Sequence, residues 1–104
     1  MKNSVKVSGL LTAALMVGTV CFAQSGDIYL AKCKTCHGVD GTPSASMAKM
    51  MSIKPASDPA IKALSEAQMI AAVTNGKGKM TAFKGKLTDA EIKSSVVYYR
   101  TFVK

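Results

Sequence analysis

Two cysteines and a histidine stand together early in the chain, as Cys33-Lys34-Thr35-Cys36-His37. In this C-x-x-C-H spacing, two thiols can add across the vinyl groups of a haem while the adjacent imidazole supplies an axial nitrogen to the iron. His37 is the only histidine in the sequence. The pattern therefore predicts one haem c, covalently attached through Cys33 and Cys36, with His37 as an iron ligand.

Two other uses of these residues are open to a chain of this kind. A disulfide oxidoreductase places its C-x-x-C pair at the start of a helix that follows a strand, within a βαβ pattern. No such pattern is present here. A zinc site needs four ligands, whereas this motif supplies three close ones and no fourth at finger spacing. Haem attachment is the favoured interpretation, and a purified protein that is not red would favour thiol chemistry instead.

A second segment, residues 75–83, contains two glycines and a methionine, Met80. Glycines allow the backbone to approach a flat cofactor closely. A thioether is a soft ligand that favours ferrous over ferric iron, and His/Met ligation suits an electron carrier. Met80 is therefore the predicted sixth ligand, which makes His37 and Met80 the metal-binding pair.

Other methionines compete with Met80 for this role, and Met80 itself could simply pack in the core, as most methionines do. Met69 lies on the apolar stripe of a predicted helix, where a core position is expected. The remaining rivals are three methionines in a short segment that would line the haem edge: Met47, Met50 and Met51.

The elements that must position these residues carry helix signals and few strand signals, so the predicted fold class is all-α. A helix over about residues 26–34 would deliver the cysteines. Proline, glycine and serine make residues 38–60 a loop with at most a short helix over residues 45–51. Capping boxes at Ser65 and Thr88 predict two further helices. The first ends at Asn75-Gly76, and the second reaches the C-terminus with a broad apolar face that consists of Ile92, Val96, Val97, Tyr98, Tyr99, Phe102 and Val103.

The N-terminal segment has the pattern of an export signal. Lys2 and Lys6 precede an apolar run over residues 7–20, and small residues precede a cut after Ala23. The predicted organisation is a signal peptide at residues 1–23 and one domain at residues 24–104, located in the periplasm. The apolar run is shorter than the ~20 residues that span a bilayer. An uncleaved anchor remains the alternative, and cleavage would also remove Cys21, the odd cysteine.

Basic residues outnumber acidic ones, with 14 Lys and Arg against 6 Asp and Glu and a net charge of +8. Four lysines, at positions 77, 79, 84 and 86, surround Met80. Such a cluster can steer a carrier toward acidic docking surfaces, although it could also be a solvated face that keeps the protein soluble. Nucleic-acid binding is not expected, because the chain is predicted to be exported and has one arginine, Arg100.

These residues together resemble the class I c-type cytochromes, particularly small bacterial monohaem carriers and the similar plastocyanin-replacing cytochromes of oxygenic phototrophs. The resemblance covers nearly all of residues 24–104. It rests on Tyr29 four residues before Cys33, on the haem motif, on the methionine segment, and on residues 86–92 leading to Tyr98-Tyr99-Arg100.

The resemblance implies a cytochrome c fold, with three to four helices wrapped around one haem. It also implies that the first and last helices cross where a glycine meets an aromatic ring. Carried onto this chain, the glycine position falls on Ser25 and the aromatic residue is Tyr98. In the family, a proline carbonyl accepts the proton on the second nitrogen of the histidine ligand, and we expect Pro43 to take that role here.

The function expected from these features is a periplasmic electron carrier, not an enzyme. It would shuttle single electrons between membrane redox complexes, such as a cytochrome bc-type donor and a terminal oxidase or reductase, and would be monomeric. The alternative is a haem-based sensor or a peroxidase-like enzyme with a labile Met80. The lack of a second histidine to act as a distal acid or base counts against that alternative.

Overall fold

The structure, a computed structural model, describes residue 9 and residues 22–104, the side chains of residues 22–25 excepted. Its helices are α1 Phe22–Lys32, α2 Lys34–His37, α3 Ala45–Met51, α4 Pro59–Lys62, α5 Glu66–Asn75 and α6 Asp89–Arg100. Over these residues the only β-type pairings are two isolated bridges. The all-α prediction is confirmed, with four helices of seven residues or more and two single turns of four residues each.

The predicted signal peptide, residues 1–23, lies outside the described residues except for Gly9 and the first two residues of α1. It stays a prediction, as does the boundary after Ala23. Within residues 22–104, no helix combines the length and the apolar character that crossing a membrane requires.

Both predicted capping boxes are formed. The hydroxyl of Ser65 accepts from the backbone of Gln68 at 3.1 Å, and the Gln68 side chain accepts from the backbone of Ser65 at 2.9 Å. Thr88 and Glu91 make the same reciprocal pair at the start of α6. Each box satisfies two of the backbone N–H groups that a helix start leaves without partners. The starts of α5 and α6 are therefore set locally, and α5 also ends at Asn75 as predicted.

Three predicted features of the helices are wrong. The first helix begins at Phe22 rather than near residue 26. The last helix ends at Arg100, because the backbone of Thr101 turns to donate to the carbonyl of Tyr98 at 3.1 Å. Val97, assigned to the buried face of α6, is 40% exposed. Ile92 and Val96 are buried as predicted, and Ser95, which was not predicted, is buried with them.

One helix, α4, had no counterpart in the prediction. Asp58 caps it, with its carboxylate accepting from the backbone of Ala60 at 2.8 Å, and Pro59 occupies the first turn. Aspartate followed by proline is a recognised helix start. The signal was thus present in a segment that was interpreted as loop because of its prolines.

Helix α6 packs against both α1 and α5. Tyr29 of α1 and Ile92 of α6 are the largest fully buried side chains. The ring of Tyr29 lies among three aromatic rings of the C-terminal segment, those of Tyr98, Tyr99 and Phe102. This aromatic cluster joins α1 to the C-terminal segment.

The predicted glycine position at this crossing is wrong by one residue. Gly26, not Ser25, faces the ring of Tyr98, and Tyr98 is the aromatic partner as expected. Because successive residues of a helix point about 100° apart, a shift of one position changes which side chain meets the partner helix.

Candidate haem site

The C-x-x-C-H motif forms a helical turn that continues from α1. The backbone N–H of Cys33 donates to the carbonyl of Tyr29 at 2.8 Å, and that of His37 donates to the carbonyl of Cys33 at 2.9 Å. Residues three and four apart lie on the same face of a helix. The turn therefore places the thiols of Cys33 and Cys36 and the imidazole of His37 on one side.

Both cysteines of the motif are free thiols. Burial, reinforced by the neighbouring Cys36, raises the pKa of Cys33 to about 11. Thiol–disulfide exchange requires a thiolate, and oxidoreductases lower the pKa of the attacking cysteine. The environment of Cys33 therefore counts against the disulfide oxidoreductase alternative.

His37 is half-buried, and burial lowers its pKa below the usual value. The neutral imidazole is the form that can bind a metal. Its ring lies edge-on to Tyr99, with 5.6 Å between the ring centroids. Nδ1 is buried and has no hydrogen-bond partner. The predicted bond to the carbonyl of Pro43 is therefore absent, although Pro43 itself is buried.

The residue that follows His37, Gly38, is hydrogen-bonded to a side chain of α1. The hydroxyl of Tyr29 donates to the carbonyl of Gly38 at 2.6 Å. Burial of this phenol, followed by the effect of Tyr99, raises the pKa of Tyr29 well above its ordinary value. Gly38 has a φ of 79°, and a Cβ there would collide with the carbonyl oxygen of Thr42. Glycine is required at this position on both grounds.

The methionine loop, defined here as residues 76–83, folds back on itself. Met80 donates to the carbonyl of Lys77 at 2.9 Å, and Lys77 donates to the carbonyl of Met80 at 3.3 Å. At its end, Phe83 donates to the carbonyl of Val73 at 2.9 Å, which anchors the loop to α5. Gly76 has a φ of 78°, and a Cβ there would lie 2.8 Å from the carbonyl oxygen of Met80.

The methionines differ in burial. Met69 is buried, as its helical stripe predicts, and its sulfur lies 3.8 Å from a guanidinium nitrogen of Arg100. Met80 is half-buried, whereas Met50 is 59% exposed. The other two members of the rival cluster, Met47 and Met51, are half-buried. The four lysines of the loop region are exposed.

The residues present fit a covalently attached haem. Two unpaired thiols and a neutral imidazole share one face of a turn, which is the donor set that the attachment chemistry uses. The sequence reasoning missed the contact of Tyr99 with this imidazole. The apolar pattern of α6 predicts that Tyr99 faces inward, but no local signal indicates which aromatic ring will meet His37.

A family model described as "Cytochrome C oxidase, cbb3-type, subunit III" matches residues 22–98, which contain the whole motif. The chain belongs to the c-type cytochromes. This cytochrome is 35% identical over 78 residues to "Cytochrome c6" of Leptolyngbya boryana, a match that covers 73% of the present chain and 86% of that protein. It also resembles a solved structure of "KustC0563 c-type cytochrome" at 35% identity and a TM-score of 0.68, over 77% of this chain and 98% of the other.

Membership implies a covalently attached haem c, and Cys33 and Cys36 stand in its attachment motif. The predicted resemblance to small class I monohaem cytochromes is confirmed. This cytochrome is accordingly an electron carrier that exchanges electrons with redox complexes, and not an enzyme.

Proposed function

We propose that this cytochrome is a soluble periplasmic carrier that shuttles single electrons between membrane redox complexes, and that His37 and Met80 are the residues that would ligate the haem iron. The haem, when bound, supplies a ferric and ferrous couple that takes up and releases one electron. The proposal is carried by the helical turn in which Cys33, Cys36 and a half-buried His37 with a lowered pKa share one face.

Each residue has a distinct part in the proposal. The thiols of Cys33 and Cys36 hold the cofactor through thioether bonds, so that it is not lost in the periplasm. His37, at the end of α2, would supply a nitrogen ligand to the iron. Met80, in the methionine loop, would supply a soft sulfur ligand, which would raise the reduction potential and keep external ligands from binding. The reciprocal bonds between Lys77 and Met80 support this loop.

The exposed lysines in the methionine loop and directly after it support docking on acidic surfaces. The chain has a net charge of +8, and lysines 77, 79, 84 and 86 are all exposed. Like-signed charge gathered on one surface speeds association with an oppositely charged partner and makes it sensitive to salt. We assign to this surface a cytochrome bc-type donor and a terminal oxidase or reductase, with the carrier acting as a monomer.

The periplasmic location rests on the export pattern of residues 1–23. Cell fractionation would place the haem protein in the osmotic-shock fluid, and N-terminal analysis would find Gln24 as the first residue. A full-length chain that stays with the membrane would contradict cleavage and favour an anchor.

The axial ligands are tested by the absorption spectrum of the ferric protein, co-expressed with haem-maturation machinery. A weak far-red band reports a sulfur-to-iron bond, and we expect Met80→Ala to abolish it. Met50→Ala, which changes an exposed member of the rival cluster, is the control and should keep the band.

The other outcomes are equally informative. Persistence of the band in Met80→Ala would move the ligand to Met47, Met50 or Met51. Absence of the band from the unmodified protein would contradict the His/Met carrier and favour a sensor or peroxidase-like iron.

A further inference from the structure

The side chain of Lys79 reaches from the methionine loop to helix α3. Its ammonium group donates to the backbone carbonyl of Met50 at 2.8 Å, across 29 residues of sequence. Met50 is the penultimate residue of α3, so its carbonyl is one of the last four, which have no partner within the helix. A lysine is a common donor to such carbonyls.

This bond joins the methionine loop to the part of the site that contains the attachment motif. Helix α3 packs on α2, which contains Cys36 and His37. The last residue of the methionine loop, Phe83, is anchored to α5 through its bond to the carbonyl of Val73. Lys79 therefore connects the methionine loop directly to the helix that lies against the attachment motif.

We infer that Lys79 is a positioning residue that fastens the methionine loop to α3 and so controls how readily Met80 leaves the iron. The inference rests on the proposed axial role of Met80. It gives Lys79 a role that the other lysines of the loop region do not have, because those lysines are proposed only to attract an acidic partner. Lys77 is also exposed and has the same charge, but it pairs with Met80 through its backbone. Lys77→Ala is therefore the charge-matched control.

Imidazole binding to the ferric holoprotein measures how readily the sixth position opens, because added imidazole must displace the native ligand. We expect Lys79→Ala to raise the apparent imidazole affinity roughly two- to fivefold, the size expected for an exposed hydrogen bond from a charged group. Lys77→Ala should leave the affinity within error of the unmodified protein. Lys79→Arg, which keeps a donor and the charge, should stay close to the unmodified protein.

Amide hydrogen exchange provides a readout that does not involve the iron. The N–H of Met80 is protected by its bond to the carbonyl of Lys77, and loosening of the loop should speed its exchange in Lys79→Ala but not in Lys77→Ala. Equal effects of Lys79→Ala and Lys77→Ala on both measurements would overturn the inference, because they would reflect charge alone. No effect of Lys79→Ala on either measurement would overturn it too.

Failure of the proposed function is recognised separately. If the unmodified ferric protein lacks the far-red band, Met80 is not the ligand, and the claim that Lys79 controls its release from the iron is refuted. Hydrogen exchange still decides whether Lys79 fastens the methionine loop to α3. Faster exchange of the Met80 N–H in Lys79→Ala alone would support that claim, and unchanged exchange would refute it.

Discussion

Gly26 and Tyr98 lie so close together that a Cβ added to Gly26 would be 3.2 Å from Cε2 of the tyrosine ring. This approach brings α1 and α6 into contact, and the aromatic cluster around Tyr29 continues from it. Any side chain at position 26 must move the ring or separate the helices. The crossing therefore depends on a residue without a side chain.

We expect Gly26→Val to destabilise the holoprotein by about 2 kcal/mol, because overpacking a contact of this kind costs about 1–3 kcal/mol. Guanidinium-induced unfolding measures the loss. Ala31→Val, on an exposed position of the same helix, is the control for valine's lower helix propensity and should cost well under ~1 kcal/mol. In a Tyr98→Ala background, Gly26→Val should cause a smaller loss in the free energy of unfolding. An equal loss in both backgrounds would show that the tyrosine ring is not the obstacle.

The two glycines at the start of the methionine loop should differ in tolerance. Both have positive φ, 78° at Gly76 and 57° at Gly78, but only at Gly76 does an added Cβ meet a neighbour within 4 Å. Gly78→Ala should therefore lower the free energy of unfolding only by the backbone strain of about 1–2 kcal/mol. Gly76→Ala should lower it further and weaken the far-red band, because the carbonyl of Met80 must move. Equal costs in the two variants would contradict this account.

Tyr29→Phe should destabilise the protein by about 1–2 kcal/mol at neutral pH, because it leaves the carbonyl of Gly38 without its donor. The measurement is chemical unfolding, with the visible spectrum as a check that the haem remains attached. A loss much below that range would mean that water replaces the hydroxyl freely.

The same variant should also change the alkaline limb of the stability curve. Burial raises the pKa of Tyr29 above its ordinary value of 10.0, so the unfolded chain loses this proton first. Stability from this group is fully present below pH 10 and falls as the pH rises toward the folded pKa, by at most about 1.4 kcal/mol per pH unit. Tyr29→Phe removes this contribution, and its stability should fall less steeply above pH 10. Parallel slopes for the two proteins would contradict the prediction.

The capping box of α6 should contribute measurable stability. Thr88→Ala removes the hydroxyl that accepts from the backbone of Glu91 at 3.1 Å, and we expect a loss of about 1 kcal/mol. Ser57→Ala, at an exposed loop position, is the control and should change the free energy of unfolding by less than ~0.5 kcal/mol. The comparison is made by thermal or chemical unfolding of the holoproteins, and equal effects would show that the cap is dispensable.

Local signals predicted several helix boundaries well. The boxes at Ser65 and Thr88, the stop at Asn75-Gly76 and the short helix over residues 45–51 all match the structure, because each depends on residues within one turn of each other. The end of α6 was mispredicted because its apolar pattern continues through Phe102, whose ring packs on Tyr29 after the helix has ended.

The sequence by itself determined the class of chemistry, since two thiols and an imidazole within five residues need only one helical turn to share a face. Which residues support that face was decided by the tertiary structure. The contact of His37 with Tyr99, the crossing at Gly26 rather than Ser25, and the bond from Lys79 to Met50 join residues 29 to 72 positions apart. Such contacts depend on how whole helices are rotated against each other, and one residue of shift turns a side chain by about 100°.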